Sequence, residues 1–171
     1  AIPVEAVTGP GQEGFIEGYD PWAYDPDKAR EVLSKVTTPI EMLVEAQWAL
    51  PAEAVAEMLR GYGKDVRTTV LENAAFNKAT EEGSFVLAFA GAGYGSGDFT
   101  GAYYNNHFEC SRLETNRVRT GFCEPELHEK IEAVRNERDP AKRAALLEEV
   151  VKLLSETYVP WLPLYDEAEV W

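Results

Sequence analysis

The chain has 171 residues, 30 of them acidic and 16 basic, for a net charge of −14 at neutral pH. Such a field repels phosphate backbones and anionic membrane surfaces, and no basic stripe offsets it, so no nucleic-acid partner is expected. With 45% hydrophobic and 27% charged residues, the composition is ordinary for a globular domain with its own core, and no apolar run approaches the roughly 20 residues a membrane span needs. The start, Ala-Ile-Pro-Val-Glu, lacks a basic segment followed by an apolar one. The expectation is therefore either a cytosolic chain or a processed or excised piece.

In chain order, residues 1–24 are rich in Gly, Pro and aromatics and read as an irregular lead-in, with a short strand near Pro3–Val7. A first helix follows, capped by Asp25 with Pro26 at its first position, where the missing N–H costs nothing. Ala29, Val32 and Leu33 form its apolar face. Pro39–Ala46 reads as a core strand with Ile40, Met42 and Val44 pointing inward. Pro51 opens a second helix with Ala52, Val55, Ala56, Met58 and Leu59 at helical spacing, closed by Gly61-Tyr62-Gly63. Asp65–Leu71 is a second strand, dense in β-branched residues. Asn73 is positioned to cap a short helix to Thr80. Ser84–Ala90 is a third strand, apolar enough to suggest cover on both faces.

Beyond Ala90 the pattern changes. Residues 91–98 hold four glycines, and the polar, aromatic segment to Cys123 has little periodicity. Pro125 and Pro140 then start two helices, the second capped by Asp139 and striped by Leu146, Leu147, Val150, Val151 and Leu154. A final strand is expected over Val159–Leu164. The alternation of strands and helices predicts one α/β domain of three layers over residues 1–171 with a mostly parallel sheet. Residues 91–123 form a rim loop region and 124–158 a pair of helices. In such sheets ligands lie beyond the carboxyl ends of the strands, which places Gln47–Leu50 and Ala90–Asp98 at the functional rim.

The glycine-rich loop lacks the Gly-Lys-Ser/Thr ending of a phosphate-binding loop, and its alternating glycines do not match a dinucleotide fingerprint. It reads instead as a loop whose backbone approaches a ligand closely. Trp48, Phe89 and Tyr94 supply aromatic surface suited to ligands with apolar and polar parts. The alternative for Phe89 is a place in the core, and Trp161 reads as core. Cys110 and Cys123, with twelve residues between them, suit either a disulfide closing a polar loop or two reduced buried thiols. With His107 and His128 they would also furnish four zinc ligands, though without the usual tight spacing on both sides. Serines lack any nucleophile-elbow context, and the carboxylates form no isolated pair, so no catalytic residue and no cofactor is expected.

Several segments resemble, in order, extracytoplasmic solute-binding protein family 5, the dipeptide- and oligopeptide-binding proteins of ABC importers. Gly9-Pro10 is similar to a family G-P segment. Tyr24 to Leu33 (Y-D-P-D-K-A-R-E-V-L) is similar to Y-D-P-x-K-A-x-x-L-L, with Val32 at the first leucine, and Pro51 to Leu59 resembles the helix after the first strand of the carboxy-terminal lobe. Asn116 to Leu127 resembles N-x-x-x-x-G-[YF]-x-N-P-x-[VL], with Glu124 in place of the second asparagine. Asp139 to Ala144 resembles D-P-x-x-R-x, and Val159 to Tyr165 resembles P-x-I-P-L-Y.

The resemblance implies a carboxy-terminal lobe of the class II periplasmic-binding-protein type, with a mixed, mostly parallel sheet. It implies as partners a peptide or other small-molecule ligand, an amino-terminal lobe and an ABC permease. It further implies a periplasmic or extracellular location, with a lipid anchor in some members. Cys110 and Cys123 fall where some dipeptide-binding members carry a loop disulfide. The family's third strand ends in Trp followed by an acid that holds a peptide amino terminus, whereas here Phe89-Ala-Gly-Ala-Gly-Tyr has neither. The residues expected to contact ligand are Trp48, Phe89, Gly91, Gly93, Tyr94, Asp98 and Asn116, with Asp98 as the polar anchor in place of that acid.

Overall fold

The structure, a computed structural model, describes residues 2–83, 85–91, 100, 108, 110 and 121–166. The chain divides into two compact units, one of residues 24–92 and one of residues 1–23 with 93–171. No described helix is long and apolar enough to cross a membrane.

The first of these units is a parallel sheet with helical crossovers. Helix α1, Pro26–Ser34, starts as expected, with the Asp25 carboxylate accepting from the Lys28 N–H at 2.9 Å. Its anticipated apolar face is not inserted into a core, and Val32 is 51% exposed. Strand β2, Ile40–Glu45, is central and is followed by a 3-10 turn, Ala46–Trp48, and helix α2, Ala49–Gly61. Strand β3, Val66–Leu71, leads to helix α3, Asn73–Glu82, and the chain returns as strand β4, Leu87–Phe89. The strand order is β3-β2-β4 with both pairings parallel, and Glu45 stands opposite Leu71 while Val44 stands opposite Phe89.

This order decides where the helices lie. The β2–β3 and β3–β4 connections run in opposite directions across the sheet, and both must be right-handed crossovers. Helices α2 and α3 therefore cover opposite faces. The side chains agree: Ile40, Met42 and Val44 pack with Ala52 and Ala56 of α2 and with Val66. On the alternate face, Glu45 accepts a hydrogen bond from Asn73 of α3. Small alanines let α2 approach the sheet closely, and each large side chain buried this way contributes about 1.5–3 kcal/mol.

Two expectations change here. Asn73 is not the cap of α3, since Glu72 precedes the first turn with no side-chain cap bond and the Asn73 amide is spent on Glu45. The third strand is shorter than expected, and its described residues are not covered on both faces, with Val86 59% and Leu87 41% exposed. The apolar run was legible, but whether the faces of a strand are covered depends on the assembled fold, which local sequence does not report.

Among its described residues, the second unit is helical with one small strand pair. Helix α4, Pro125–Asn136, and helix α5, Pro140–Lys152, form an antiparallel hairpin, and α5 passes into a π-turn at Leu153–Tyr158. Asp139 caps α5 by accepting from the Ala141 and Lys142 N–H groups, each at 3.0 Å. Leu127, Ile131 and Val134 face Leu147, Val150, Val151 and Leu154 in a core that Val7 and Phe108 complete. Trp161 packs on this core, edge-on to Phe108 at 6.2 Å, as expected.

The expected strand over Val159–Leu164 is absent. Val159 takes a left-handed conformation (φ 41°, ψ 50°) that closes the π-turn, its N–H bonding the Leu154 carbonyl at 3.1 Å. Strand β5, Tyr165–Asp166, begins only after Leu164 and pairs antiparallel with β1, Ile2–Pro3. The lead-in is correspondingly firm. Val4, Ala6, Val7 and Thr8 are buried, the Trp22 indole N–H bonds the Ser155 carbonyl at 2.8 Å, and the Tyr19 hydroxyl bonds Glu156 at 2.6 Å. Burial and that carboxylate raise the Tyr19 pKa well above the ordinary phenol range. Gly14 is required at its place, because a Cβ there would sit 3.1 Å from side-chain carbons of Leu147 and Val151 at a φ of +84°.

Candidate functional site

Three parallel strands present their carboxyl ends on one edge, so the rim lies where β2 runs into the 3-10 turn, β3 into α3 and β4 into Ala90-Gly91. The turn Ala46–Trp48 brings the half-buried Trp48 indole back across the rim onto Gly91. A Cβ added at Gly91 would come 2.6 Å from Trp48 Cζ2 and 3.0 Å from Cε2, well inside van der Waals contact. Only a residue without a side chain fits under that ring. Phe89, opposite Val44, is half-buried and packs against the sheet cluster on the α2 side. Trp48 and Gly91 are thus brought together from segments more than forty residues apart, and Phe89 is shared between core and rim.

The rim has a second feature that sequence reasoning missed. Glu45, the last residue of β2, is only 6% exposed, and its carboxylate accepts one hydrogen bond, from Asn73 Nδ2 at 2.6 Å. Asn77 Nδ2 in turn donates to Asn73 Oδ1 at 3.1 Å. A carboxylate only accepts, so Asn73 must offer its NH2, which turns its oxygen to Asn77 and obliges that residue to offer its NH2 as well. Among the described residues Glu45 is the one buried charged side chain. The available signal was its position at the end of an otherwise apolar strand, on the face opposite Ile40, Met42 and Val44. That face is covered by α3, which only the crossover geometry could tell.

Ion pairs elsewhere are peripheral. Arg60 of α2 bonds Glu53 and Glu57, and its hydrogen bond lowers the Glu53 pKa below the ordinary carboxylate range. In the other unit a groove of about 530 Å3 lies between residues 13–17 and Pro140, Arg143, Ala144, Leu147 and Glu148. Its Arg143 is already engaged by Glu13 and by the Val134 carbonyl.

Of the other candidates, Gly93, Tyr94, Asp98 and Asn116 lie outside the described residues, as does His107. Cys110 and Cys123 form a disulfide, S–S 2.04 Å, with Cα atoms 4.8 Å apart. This overturns the reading of a four-ligand zinc centre, since neither sulfur is a thiolate. His128 is half-buried on α4, and no metal-binding cluster of His, Cys, Asp or Glu occurs among the described residues.

No protein-family model matches the chain. A curated relative, di/tripeptide-binding protein 2 of Pseudomonas aeruginosa (strain UCBPP-PA14), is 24% identical over 161 residues, covering 88% of this chain and 30% of the relative. The chain therefore spans about a third of the length of the curated relatives it matches. Among solved structures, a dipeptide-binding protein from Pseudoalteromonas sp. SM9913 in complex with Met-Leu superposes with a TM-score of 0.82 at 15% identity, over 95% of this chain and 34% of that one. An ABC-transporter-associated periplasmic binding protein from Helicobacter pylori in complex with the peptide STSA gives 0.80 at 18% identity, over 95% and 33%. The α/β fold, with its mixed, mostly parallel sheet pairing, is that of a class II periplasmic-binding-protein lobe. In sequence and in fold, the chain resembles the family 5 peptide-binding solute receptors of ABC importers.

Proposed function

We propose that this chain is a ligand-contacting lobe of an ABC-importer solute receptor for short peptides, a binding module with no chemistry of its own. The observation that carries the reading is the rim of the parallel sheet, where the Trp48 indole packs closely against Gly91. An aromatic face beside exposed main chain suits a ligand that is itself apolar side chains on a polar backbone. The likeness to di/tripeptide-binding proteins supports peptides over other small solutes. Trp48, Phe89 and Gly91 line this half of the site, joined by Gly93, Tyr94, Asp98 and Asn116 from the loop region.

The intact receptor works by closure. A second, amino-terminal lobe supplies the remaining contacts, ligand bridging both halves shifts an open–closed equilibrium, and the closed form docks on a permease. The reading implies a periplasmic or extracellular location, which the Cys110–Cys123 bond supports, and a lipid anchor would hold the receptor at the membrane surface. With half the contacts, the chain by itself binds weakly. The test is an amide NMR titration of the oxidised chain with a pool of di- and tripeptides, with maltose as control. Shifts in residues 45–50 and 89–91 with peptides alone are expected. Shifts with maltose and none with peptides would overturn the peptide assignment.

A further inference from the structure

We propose that the groove beside α5 is a second binding site, which takes a small amphiphilic amine with its apolar part on Ala144 and Leu147 and its ammonium at Glu17. The site is independent of the receptor reading. Every residue that lines it belongs to the unit of residues 1–23 and 93–171, and none to the parallel sheet.

The groove arises because an irregular segment is held against one face of a helix. Pro140, Ala144 and Leu147 follow one another at i, i+4 and i+7 along α5, with Arg143 and Glu148 beside them. Residues 13–17 meet this face and are fastened from both sides. Before them in the groove, Glu13 pairs with Arg143, and Gly14, at a φ of +84°, sits so close that a Cβ would lie 3.1 Å from Leu147. After them, the Tyr19 hydroxyl bonds Glu156 and the Trp22 indole bonds the Ser155 carbonyl. Ala144 leaves room because its side chain ends at Cβ. The resulting space of about 530 Å3 falls within the range of about 300–1,000 Å3 usual for small-molecule pockets.

Charge then selects the ligand. Glu13, Glu17, Glu148 and Arg143 border the groove. Arg143 is spent on Glu13, on the Val134 carbonyl at 2.6 Å and on the Thr100 hydroxyl at 3.4 Å. Glu148 has Lys152 at 2.6 Å. Among the described residues no Lys, Arg or His pairs with Glu17. An anion entering the groove meets this excess of negative charge, and a neutral molecule leaves Glu17 without a counter-charge. An ammonium on an apolar body satisfies both the floor and the carboxylate. Phe15, 44% exposed, adds a ring for an aryl group or the cation itself.

The experiment is an amide NMR titration of the oxidised chain with phenethylamine, 2-phenylethanol and 3-phenylpropionate, which share an apolar part and differ in charge. Phenethylamine should shift the amides of residues 14–17 and 143–148 saturably, with a Kd of about 1–10 mM. The alcohol should bind about two- to fivefold more weakly, the size of one exposed ion pair, and the carboxylate more weakly still. Glu17→Gln should bring the amine to the level of the alcohol. Glu81→Gln, which removes an exposed charge from α3, should leave amine binding unchanged, separating Glu17 from the general field of the chain. Ala144→Phe, at an exposed helix position, fills the groove and should weaken the amine at least about tenfold. Equal binding of amine and alcohol, or equal losses in Glu17→Gln and Glu81→Gln, would overturn the ammonium assignment. No saturable shift up to about 20 mM, or unchanged binding to Ala144→Phe, would overturn the site.

Discussion

Replacing Gly91 with alanine tests the construction of the rim directly. The new Cβ would lie 2.6 Å from Trp48 Cζ2 and 3.1 Å from its Nε1, against a favourable carbon–carbon separation of about 3.5–4.0 Å. The overlap is therefore on the order of 1 Å, and it falls on the flank of a rigid ring, which cannot relieve it by a terminal rotation. Either the indole leaves its seat or the Gly91 backbone backs away from β2. Overpacking of this kind costs about 1–3 kcal/mol, equivalent to a fall in urea midpoint of roughly 1 M. Intensities of β2, β3 and β4 amides followed through a urea series report on this unit itself. The decisive comparison is a double-mutant cycle. In a Trp48→Ala background the obstruction is gone, so Gly91→Ala should cost less than about 0.5 kcal/mol and the coupling should carry nearly the whole effect. A neutral Gly91→Ala, or one with the same cost in both backgrounds, would refute the Trp48–Gly91 contact and the rim built on it.

Two other outcomes follow from local geometry. Asp139→Ala removes the acceptor for two N–H groups at the start of α5 and should lower stability by about 0.5–2 kcal/mol in thermal unfolding, with Asp139→Asn largely restoring it. Glu53, whose pKa is lowered by the hydrogen bond from Arg60, contributes stability that is present above the ordinary carboxylate range and lost as pH falls through its depressed folded value. Glu53→Gln should therefore flatten the acid limb of the stability profile, its small cost present at pH 7 and vanishing at low pH, and Arg60→Gln should return the Glu53 titration, read by carboxyl 13C shifts, toward the ordinary range. A Glu53 midpoint unmoved by Arg60→Gln would contradict the pairing.

The elements most legible in the sequence were those set by near neighbours. Asp25-Pro26 and Asp139-Pro140 announce helix starts because the cap and its N–H partners lie within three residues. The alternation of Ile40, Met42 and Val44 marks a strand face for the same reason. The resemblance of ordered short segments then carried the fold class, and with it the expectation of a disulfide. Val159 and Asn73 show where this reasoning stops. A Val-Pro-Trp-Leu-Pro-Leu run is as apolar as a strand, yet the hydrogen bond to Leu154 turns Val159 left-handed and delays the strand to Tyr165. Asn73 has the right chemistry for a cap, but Glu45, twenty-eight positions earlier, takes its amide.

Sequence by itself thus determined the starts of α1 and α5, the face of β2 and the parallel α/β class, because each depends on periodicity, capping or the order of short-range signals within this one chain, and it pointed to Trp48 and Gly91 as expected rim residues. Tertiary structure alone decided that the Trp48 ring closes over Gly91, and that Glu45 is shut in rather than facing water. Both follow from the β3-β2-β4 order. Strand pairing across distant segments and the handedness of crossovers choose which face of a strand a helix will cover, and those are properties of the assembled sheet that no local stretch encodes.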